Sequence, residues 1–327
     1  MLEVLDPGLL STVQDGGRPD LAHLGVPPGG ACDPWGLAAA NLLAGNAPNA
    51  SALEMTVAGP ALAVRATCVV ALGGADLGAR VKEEERPLRP GTAYLLRTGT
   101  RLVFEGGSGR GARAYLALAG GIAVPRILGS ASTCLAGGFG GIEGRPLRAG
   151  DRLVPERPGD LAAAGRSWPA DVPLGPPHDP DLATPVHVVP GPHAGRFPPG
   201  ALEALLGTGW EVDPRSDRTG LRLAGPPLPG AGGGELVSLP MTWGAVQVPP
   251  DGRPIVLLAD HPTVGGYPVI AVAIRADRPL LGQLRPGDEV RFELTAIDRA
   301  QAAARAEQAL LGRGVELLGP DEEVEPW

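Results

Sequence analysis

The chain has 327 residues, enough for two ordinary domains, and glycine and proline supply 50 and 37 of them. Because 43% of the residues are hydrophobic and the glycines and prolines punctuate short apolar runs, the composition indicates short strands joined by tight turns, not disorder. The net charge of -8, with scattered arginines and no basic stripe, argues against a nucleic-acid surface.

The surroundings of Lys82, the only lysine, exclude two kinds of site. It follows no glycine loop, so the chain carries no recognisable phosphate loop for ATP. It follows Val81 and not a methionine, so we expect no covalently bound biotin.

The three cysteines are widely spaced, with no pair at metal-ligand spacing, so no metal site is expected. Cys32, Cys68 and Cys134 are instead expected to be small buried hydrophobes. The N-terminus lacks the features of a signal peptide, and no apolar run approaches the roughly 20 residues of a membrane span. These features predict a cytoplasmic protein without membrane contact.

In the first half, the runs LEVL and STVQD predict two strands before residue 15. Asp33 followed by Pro34 is typical of a helix start, and the spacing predicts a helix over 35–44 that stops at Gly45. Residues 52–154 consist of short apolar runs between turns, which predicts a β-rich domain over 1–160.

Residues 161–185, rich in proline and without periodicity, are predicted to be a linker. A second β-rich block, with a short helix at ALEALLG, predicts another domain over 186–312. An alanine-rich segment over 295–311 predicts a helix that ends at Gly312, and residues 313–327 form an acidic tail expected to fray.

Three long blocks resemble one known family. The block GLLSTVQDGGRPDLAHLGVPPGGACDPWGLAAANLLAGNAPNASALEMT (8–56) resembles the N-terminal signature of the biotin-dependent carboxyltransferase family. That family includes the C subunit of 5-oxoprolinase, the second subunit of allophanate hydrolase and the antagonist of a sporulation-kinase inhibitor. Residues 114–153 and much of 188–292, with VVPGPHAGRF, SDRTGLRL and LRPGDEVRF, match as well. The resemblance implies a mainly β chain of two cyclophilin-like β-barrels with a few short helices.

Two places depart from the family pattern. The first block usually has GVPxSGAMD, whereas here Gly30 stands at the serine and Cys32 at the methionine. His261 and Pro262 replace a commoner arginine–glutamine pair. Either departure could change substrate preference or have no effect.

The resemblance implies the C subunit of an ATP-dependent 5-oxoprolinase, which helps to bind and activate the lactam for ring opening to L-glutamate. Its partners would be a B subunit of related fold and a lactam-hydrolysing A subunit, with ATP used by the complex. One alternative is a carboxyltransferase that moves a carboxyl group from carrier-bound biotin, held by a partner, to urea or a similar amide. Another is a non-catalytic regulator that binds a related kinase inhibitor.

Candidate site residues fall in three clusters. Arg18, near Asp15, could clamp a carboxylate, although Asp15 could instead cap a turn and pair with it. The trio 216–218 could orient a small substrate, or could be a salt-bridged corner of the second barrel. The substrate-binding candidates in these two clusters are Gln14, Arg18, Ser216, Asp217 and Arg218.

The strongest cluster combines Gln247 with the loop after the apolar run IVLLA. Asp260 could accept from a substrate N–H, and Tyr267 could donate to a flat ring or stack on it. Gly265 and Gly266 allow a close backbone approach or a positive φ, and their amides could face a carbonyl that gains negative charge. We therefore predict Asp260, Tyr267 and Gln247 as catalytic and Thr263, Gly265 and Gly266 as substrate-binding.

Overall fold

A computed structural model describes residues 1–107, 110–175, 185–230 and 236–318. The chain divides into two compact units. The first comprises Met1–Arg18, Gly29–Gly175 and Ala309–Trp327, and the second comprises Pro19–Pro28 and Pro176–Gln308. Each unit is built of strands around its own buried core, so the predicted mainly β fold class is confirmed.

The strands of the first unit form two antiparallel sheets with a core between them. In chain order they are β1 (Leu2–Asp6), β2 (Leu10–Gln14), β3 (Ala52–Thr56), β4 (Ala61–Val64), β5 (Cys68–Gly74), β6 (Ala79–Val81), β7 (Arg86–Leu88), β8 (Thr92–Leu96), β9 (Arg101–Phe104), β10 (Arg113–Leu118) and β11 (Arg152–Leu153). The sheet orders are β11-β1-β4-β9-β6-β7 and β2-β3-β10-β5-β8. Leu62 and Leu102 of the first sheet meet Leu53 and Leu116 of the second in this core.

Helix α1 (Pro34–Leu43) is capped as the sequence predicts. The Asp33 Oδ1 atom accepts a hydrogen bond from the Gly36 N–H at 2.9 Å, and the helix ends before Gly45, whose φ is +77°. Every residue from Trp35 to Leu43 is buried, because the helix packs on the outer faces of β5 and β10.

The second unit contains an eight-stranded sheet that nearly closes into a barrel. Its edge strands are separated by Arg291 alone, so the two edges of the sheet meet there and enclose the core. The order is β20-β13-β14-β17-β16-β19-β12-β21, and β15 pairs with β18 apart from it. These strands are β12 (Val186–Pro190), β13 (Trp210–Val212), β14 (Gly220–Ala224), β15 (Leu239–Pro240), β16 (Ala245–Gln247), β17 (Ile255–Leu257), β18 (Val264–Gly265), β19 (Val269–Ala273), β20 (Glu289–Val290) and β21 (Phe292–Leu294).

Three further α-helices follow: α2 (Ala201–Gly207), α3 (Arg278–Gln283) and α4 (Ile297–Leu318). Helix α2 matches the run ALEALLG, but α4 continues beyond its predicted end at Gly312. Gly314 lies so close to Trp168 that a Cβ there would be 2.9 Å from the indole, so this glycine serves packing within the helix. Short 3-10 helices lie at Pro19–Leu24, Lys82–Glu84, Leu161–Ala163, Ala194–Arg196 and Arg275–Asp277.

The unit boundaries differ from the predicted domains around the linker. Ala163 is fully buried in the first unit, and the Trp35 indole N–H donates to the Pro173 carbonyl at 3.0 Å, so residues 161–175 are packed chain. The rest of the predicted linker, 176–184, lies outside the described residues. Of the predicted tail, 313–318 belong to α4, and 319–327 also lie outside the described residues.

The contact between α1 and β5 leaves no room for a side chain at Gly73. A Cβ there would lie 2.2 Å from the Gly36 carbonyl oxygen and 3.1 Å from the Ala40 nitrogen. We expect Gly73→Ala to lower the free energy of unfolding by about 1–3 kcal/mol, as overpacking of a core does. Urea unfolding measures this. Gly195→Ala, where nothing lies within 4 Å, is the control, and equal midpoints for both variants would contradict the described packing.

Candidate functional site

The polar loop of the second unit begins at Asp260, three residues after β17 ends. Arg218 closes on this carboxylate with two hydrogen bonds, Nε to Oδ2 at 2.9 Å and Nη2 to Oδ1 at 3.0 Å. The Arg218 and Asp260 side chains are 3% and 10% exposed, so water is largely excluded from the pair. The Asp260 N–H also donates to the Arg218 carbonyl at 2.9 Å. Two parallel charge-assisted bonds fix the start of the loop against the turn before β14.

This ion pair gives Asp260 a structural role, because both of its oxygens accept from Arg218 and so hold the start of the loop in place. Each oxygen keeps a lone pair, so the role predicted for Asp260 as an acceptor from a substrate N–H stays a prediction. The side chains of Ser216 and Asp217 accept hydrogen bonds from main-chain N–H groups outside this ion pair. The Ser216 Oγ atom accepts from the Arg222 N–H at 3.0 Å, and the Asp217 Oδ1 atom accepts from the Thr219 N–H at 2.7 Å. Of the trio 216–218, Arg218 alone forms the salt bridge with Asp260, and a substrate-orienting role for the trio stays a prediction.

The structure brings Gln247 and Gly265 together. Gln247, on β16, is 5% exposed, and its Nε2 atom donates to the Met241 sulfur at 3.3 Å. A Cβ on Gly265 would lie 2.6 Å from that Nε2 atom, so glycine here permits a close approach. Neither Gly265 nor Gly266 has a positive φ, so that part of the prediction is wrong. Gly265 instead continues β18, paired with β15.

The remaining loop residues differ in exposure. Thr263 is 9% exposed, and its carbonyl accepts from the Met241 N–H at 2.9 Å. A Cβ on Gly266 would meet only the Ser238 hydroxyl oxygen, at 3.6 Å. Tyr267 is 46% exposed. The phenol of Tyr267 is therefore accessible at the surface, whereas Thr263 and Gln247 are largely buried.

Two histidines of the second unit are neutral structural groups. His261 is 3% exposed, and its Nδ1 atom lies 2.9 Å from the Pro262 carbonyl. Burial lowers the pKa of this imidazole below its usual value, and the charge of Arg278 adds to the effect. The His193 Nδ1 atom accepts from the Val269 N–H at 3.0 Å, and burial likewise lowers the pKa of His193.

In the first unit, Asp15 organises the segment that carries Gln14 and Arg18. Its carboxylate accepts from the Gly17 and Ala131 N–H groups and from the Ser130 and Ser132 hydroxyls, at 2.5–2.8 Å. This is the turn-capping alternative that the sequence left open for Asp15.

Gln14 and Arg18 are fully or almost fully buried, and both bond to the chain itself. The Gln14 Nε2 atom donates to the Thr12 hydroxyl at 3.0 Å and to the Thr133 carbonyl at 3.3 Å. The Arg18 Nη2 atom donates to the Ser132 carbonyl at 2.8 Å, and its guanidinium lies over the Phe139 ring at 5.1 Å. These contacts hold the segment 130–133 and leave a substrate-clamping role for either residue as a proposal only.

A polar cavity of about 300 Å³ adjoins this segment. Arg126 lines it, with Nη1 3.7 Å from Asp15 and Nη2 3.6 Å from Glu156. No local motif marks Arg126, because its partners are distant in sequence. The same holds for Trp243 and Arg278 in the second unit.

Buried polar groups elsewhere in the first unit are structural. Glu54 accepts from the Tyr115 hydroxyl at 2.7 Å and from the Cys32 N–H at 2.9 Å. The three cysteines are free and buried, as predicted, and burial raises the pKa of Cys68.

Across the described residues, no group of three or more potential ligands could hold a metal ion. No helix there is both long and apolar enough to cross a membrane.

Residues 24–294 match a family model described as carboxyltransferase domain, subdomain A and B. The chain is 36% identical over 313 residues to the C subunit of the 5-oxoprolinase of Escherichia coli strain K12, covering 94% of this chain and 96% of that protein. It is 34% identical over 312 residues to the urea amidolyase of Lachancea kluyveri, covering 89% of this chain but 17% of that protein. The crystal structure of the K. lactis urea amidolyase superposes with a TM-score of 0.86 at 28% identity, covering 100% of this chain and 20% of that one.

Without the Arg218 guanidinium, the Asp260 carboxylate would stay buried from water but lose its charge partner. We expect Arg218→Gln to lower the free energy of unfolding by about 3–5 kcal/mol, as loss of one partner of a buried pair does. Arg215→Gln is the matched control, because Arg215 pairs with Asp213 at the surface and such pairs add little. Urea unfolding of both variants checks this, and similar losses would contradict the anchoring role.

Proposed function

Since the chain belongs to the carboxyltransferase-domain family, we propose that it acts as the C subunit of an ATP-dependent 5-oxoprolinase. Its part is to help bind and activate the lactam for ring opening to L-glutamate, with a B subunit of related fold and a lactam-hydrolysing A subunit as partners. The observation that carries this proposal is the two-way coverage of about 95% with the C subunit of the E. coli 5-oxoprolinase. Urea amidolyase, by contrast, is matched over one segment of a much longer protein.

The substrate sets clear chemical demands. 5-Oxoproline is a five-membered lactam with a carbonyl oxygen, a ring N–H and a carboxylate. Opening the ring breaks a resonance-stabilised C–N bond, and negative charge develops on the carbonyl oxygen as that carbon is attacked. Donors held near this oxygen and an acceptor held near the N–H lower the barrier when they are positioned in advance.

The second-unit loop supplies groups of both kinds. The exposed Tyr267 phenol can donate to the carbonyl oxygen, and the Thr263 hydroxyl can donate or accept. The amide nitrogen of Gln247 is held by the Met241 sulfur, which orients the amide oxygen as an acceptor for the ring N–H. Asp260 positions these groups through its bonds to Arg218.

Lys82, the only lysine, fits neither a phosphate loop for ATP nor a site of covalent biotin attachment. Lys82 lies in the 3-10 helix Lys82–Glu84 at the surface of the first unit, away from any glycine loop. We therefore place no ATP step on this chain, and phosphorylation of the carbonyl oxygen falls to the assembled complex. Biotin enters only if a partner carries it.

A second candidate is carboxyl transfer from carrier-bound biotin to urea or a similar amide. The match to the carboxyltransferase family model and the TM-score of 0.86 to the K. lactis urea amidolyase favour it. Both reactions stabilise negative charge on the oxygen of a planar amide, so the same loop could serve either one.

Purification of the tagged full chain from its own host separates these functions. We expect two partners, a related β-barrel protein and a lactam hydrolase, with no biotin signal on a streptavidin blot. The complex should release glutamate from 5-oxoproline only when ATP is present. A biotinylated carrier in the eluate, together with carboxylation of urea, would contradict the proposal and establish the second candidate.

Tyr267 offers a test of the loop that spares the fold, because its side chain is 46% exposed. We expect Tyr267→Phe to lower glutamate release by the complex by about 100-fold or more, the lower end for loss of a transition-state donor or acid. Tyr94→Phe is the matched control, since that hydroxyl only bonds to Arg89 in the first unit. Unchanged activity in Tyr267→Phe would remove Tyr267 from the site.

A further inference from the structure

Two adjacent side chains of the second unit hold buried N–H donors that meet no acceptor in the described part of the chain. They are the Nε atom of Arg278, at the start of α3, and the Nε1 atom of Trp243, between β15 and β16. The guanidinium carbon lies over the indole ring, 5.1 Å from its centroid. Buried donors in folded proteins are almost always satisfied, so two of them side by side point to an acceptor from outside the chain.

Charge favours an anion as that acceptor. Arg278 makes no ion pair within the described residues, although Glu307 is near enough to favour its charged form. Burial, with a smaller effect from Arg275, lowers the pKa of the guanidinium to about 10, so it stays positive at neutral pH. A buried guanidinium that forms no ion pair is stabilised by a bound anion, because the negative charge compensates its positive charge.

The position relates these donors to the polar loop. Trp243 lies two residues after Met241, which contacts both Gln247 and Thr263. The positive charge of Arg278 contributes to the lowered pKa of His261, the residue next to Asp260. Trp243 is thus linked to the polar loop along the chain through Met241, and Arg278 is linked to it through its effect on His261.

We propose that Arg278 and Trp243 form a subsite for the carboxylate of a small organic acid. The two oxygens of a carboxylate offer about four lone-pair positions, enough to accept from a guanidinium and an indole N–H together. The identification of this acid as 5-oxoproline rests on the proposed function. The subsite then holds the substrate by the group that takes no part in ring opening.

Calorimetric titration of the full chain with 5-oxoproline and with 2-pyrrolidinone, the same lactam without its carboxylate, tests the subsite directly. We expect 5-oxoproline to bind about 10-fold or more tighter, the worth of a hydrogen bond to a charged group. Arg278→Gln should abolish this preference. Trp243→Phe, which keeps a ring face but loses the N–H, should reduce it. Arg275→Gln is the matched control, because that neighbouring arginine is exposed, and it should keep the preference.

Three results would overturn the subsite: no binding of 5-oxoproline, equal binding of the two lactams, or an intact preference in Arg278→Gln. If Arg278→Gln does not fold, as judged by thermal unfolding, Arg278→Lys takes its place. That variant keeps the charge but loses the planar donors, so the preference should fall. The assay needs no partner and no ATP. A complex that fails to hydrolyse 5-oxoproline would therefore defeat the proposed function alone, and active hydrolysis with no effect of Arg278→Gln on binding would defeat the subsite alone.

Discussion

The salt bridge between Arg218 and Asp260 is the contact on which the geometry of the candidate site depends. It joins the turn before β14 to the loop after β17, two strands that lie side by side in the barrel. Main-chain bonds flank it, from the Leu258 N–H to the Thr219 carbonyl and from the Asp260 N–H to the Arg218 carbonyl, both at 2.9 Å. Because water is nearly excluded, the two charges hold each other in one place, and the loop leaves the barrel in a fixed direction.

The salt bridge gives the charged and the neutral polar residues different roles in the proposed site. The charged pair fixes the loop, while the groups proposed to contact a ligand are neutral, namely the Gln247 amide, the Thr263 hydroxyl and the Tyr267 phenol. A preorganised site needs such a division, since residues that contact a ligand act well only when others fix their positions. The proposed carboxylate subsite follows the same logic, with an arginine held over an indole ring. In the first unit, the four hydrogen-bond donors to the Asp15 carboxylate likewise fix the position of the surrounding segment.

Local patterns predicted the fold well and the site only in part. Apolar runs between turn residues located most strands, and the cap at Asp33 located α1, because these signals act over a few residues. Gly312 looked like a helix end, yet packing across the first unit carries α4 past it. The site depends on contacts between distant residues: the Arg218 guanidinium bonds to Asp260, 42 residues later in the chain. Nothing local separates exposed Arg275 from Arg278, three residues later, which lies over Trp243.

The central claim is that the ligand is met by the polar loop and the neighbouring indole of the second unit. Amide hydrogen–deuterium exchange of the full chain, with and without saturating 5-oxoproline, tests it most directly. The account predicts slower exchange in peptides covering 260–267 and 241–244, with no change over 14–18 and 130–133. Slower exchange confined to those first-unit segments, or no change anywhere, would contradict it.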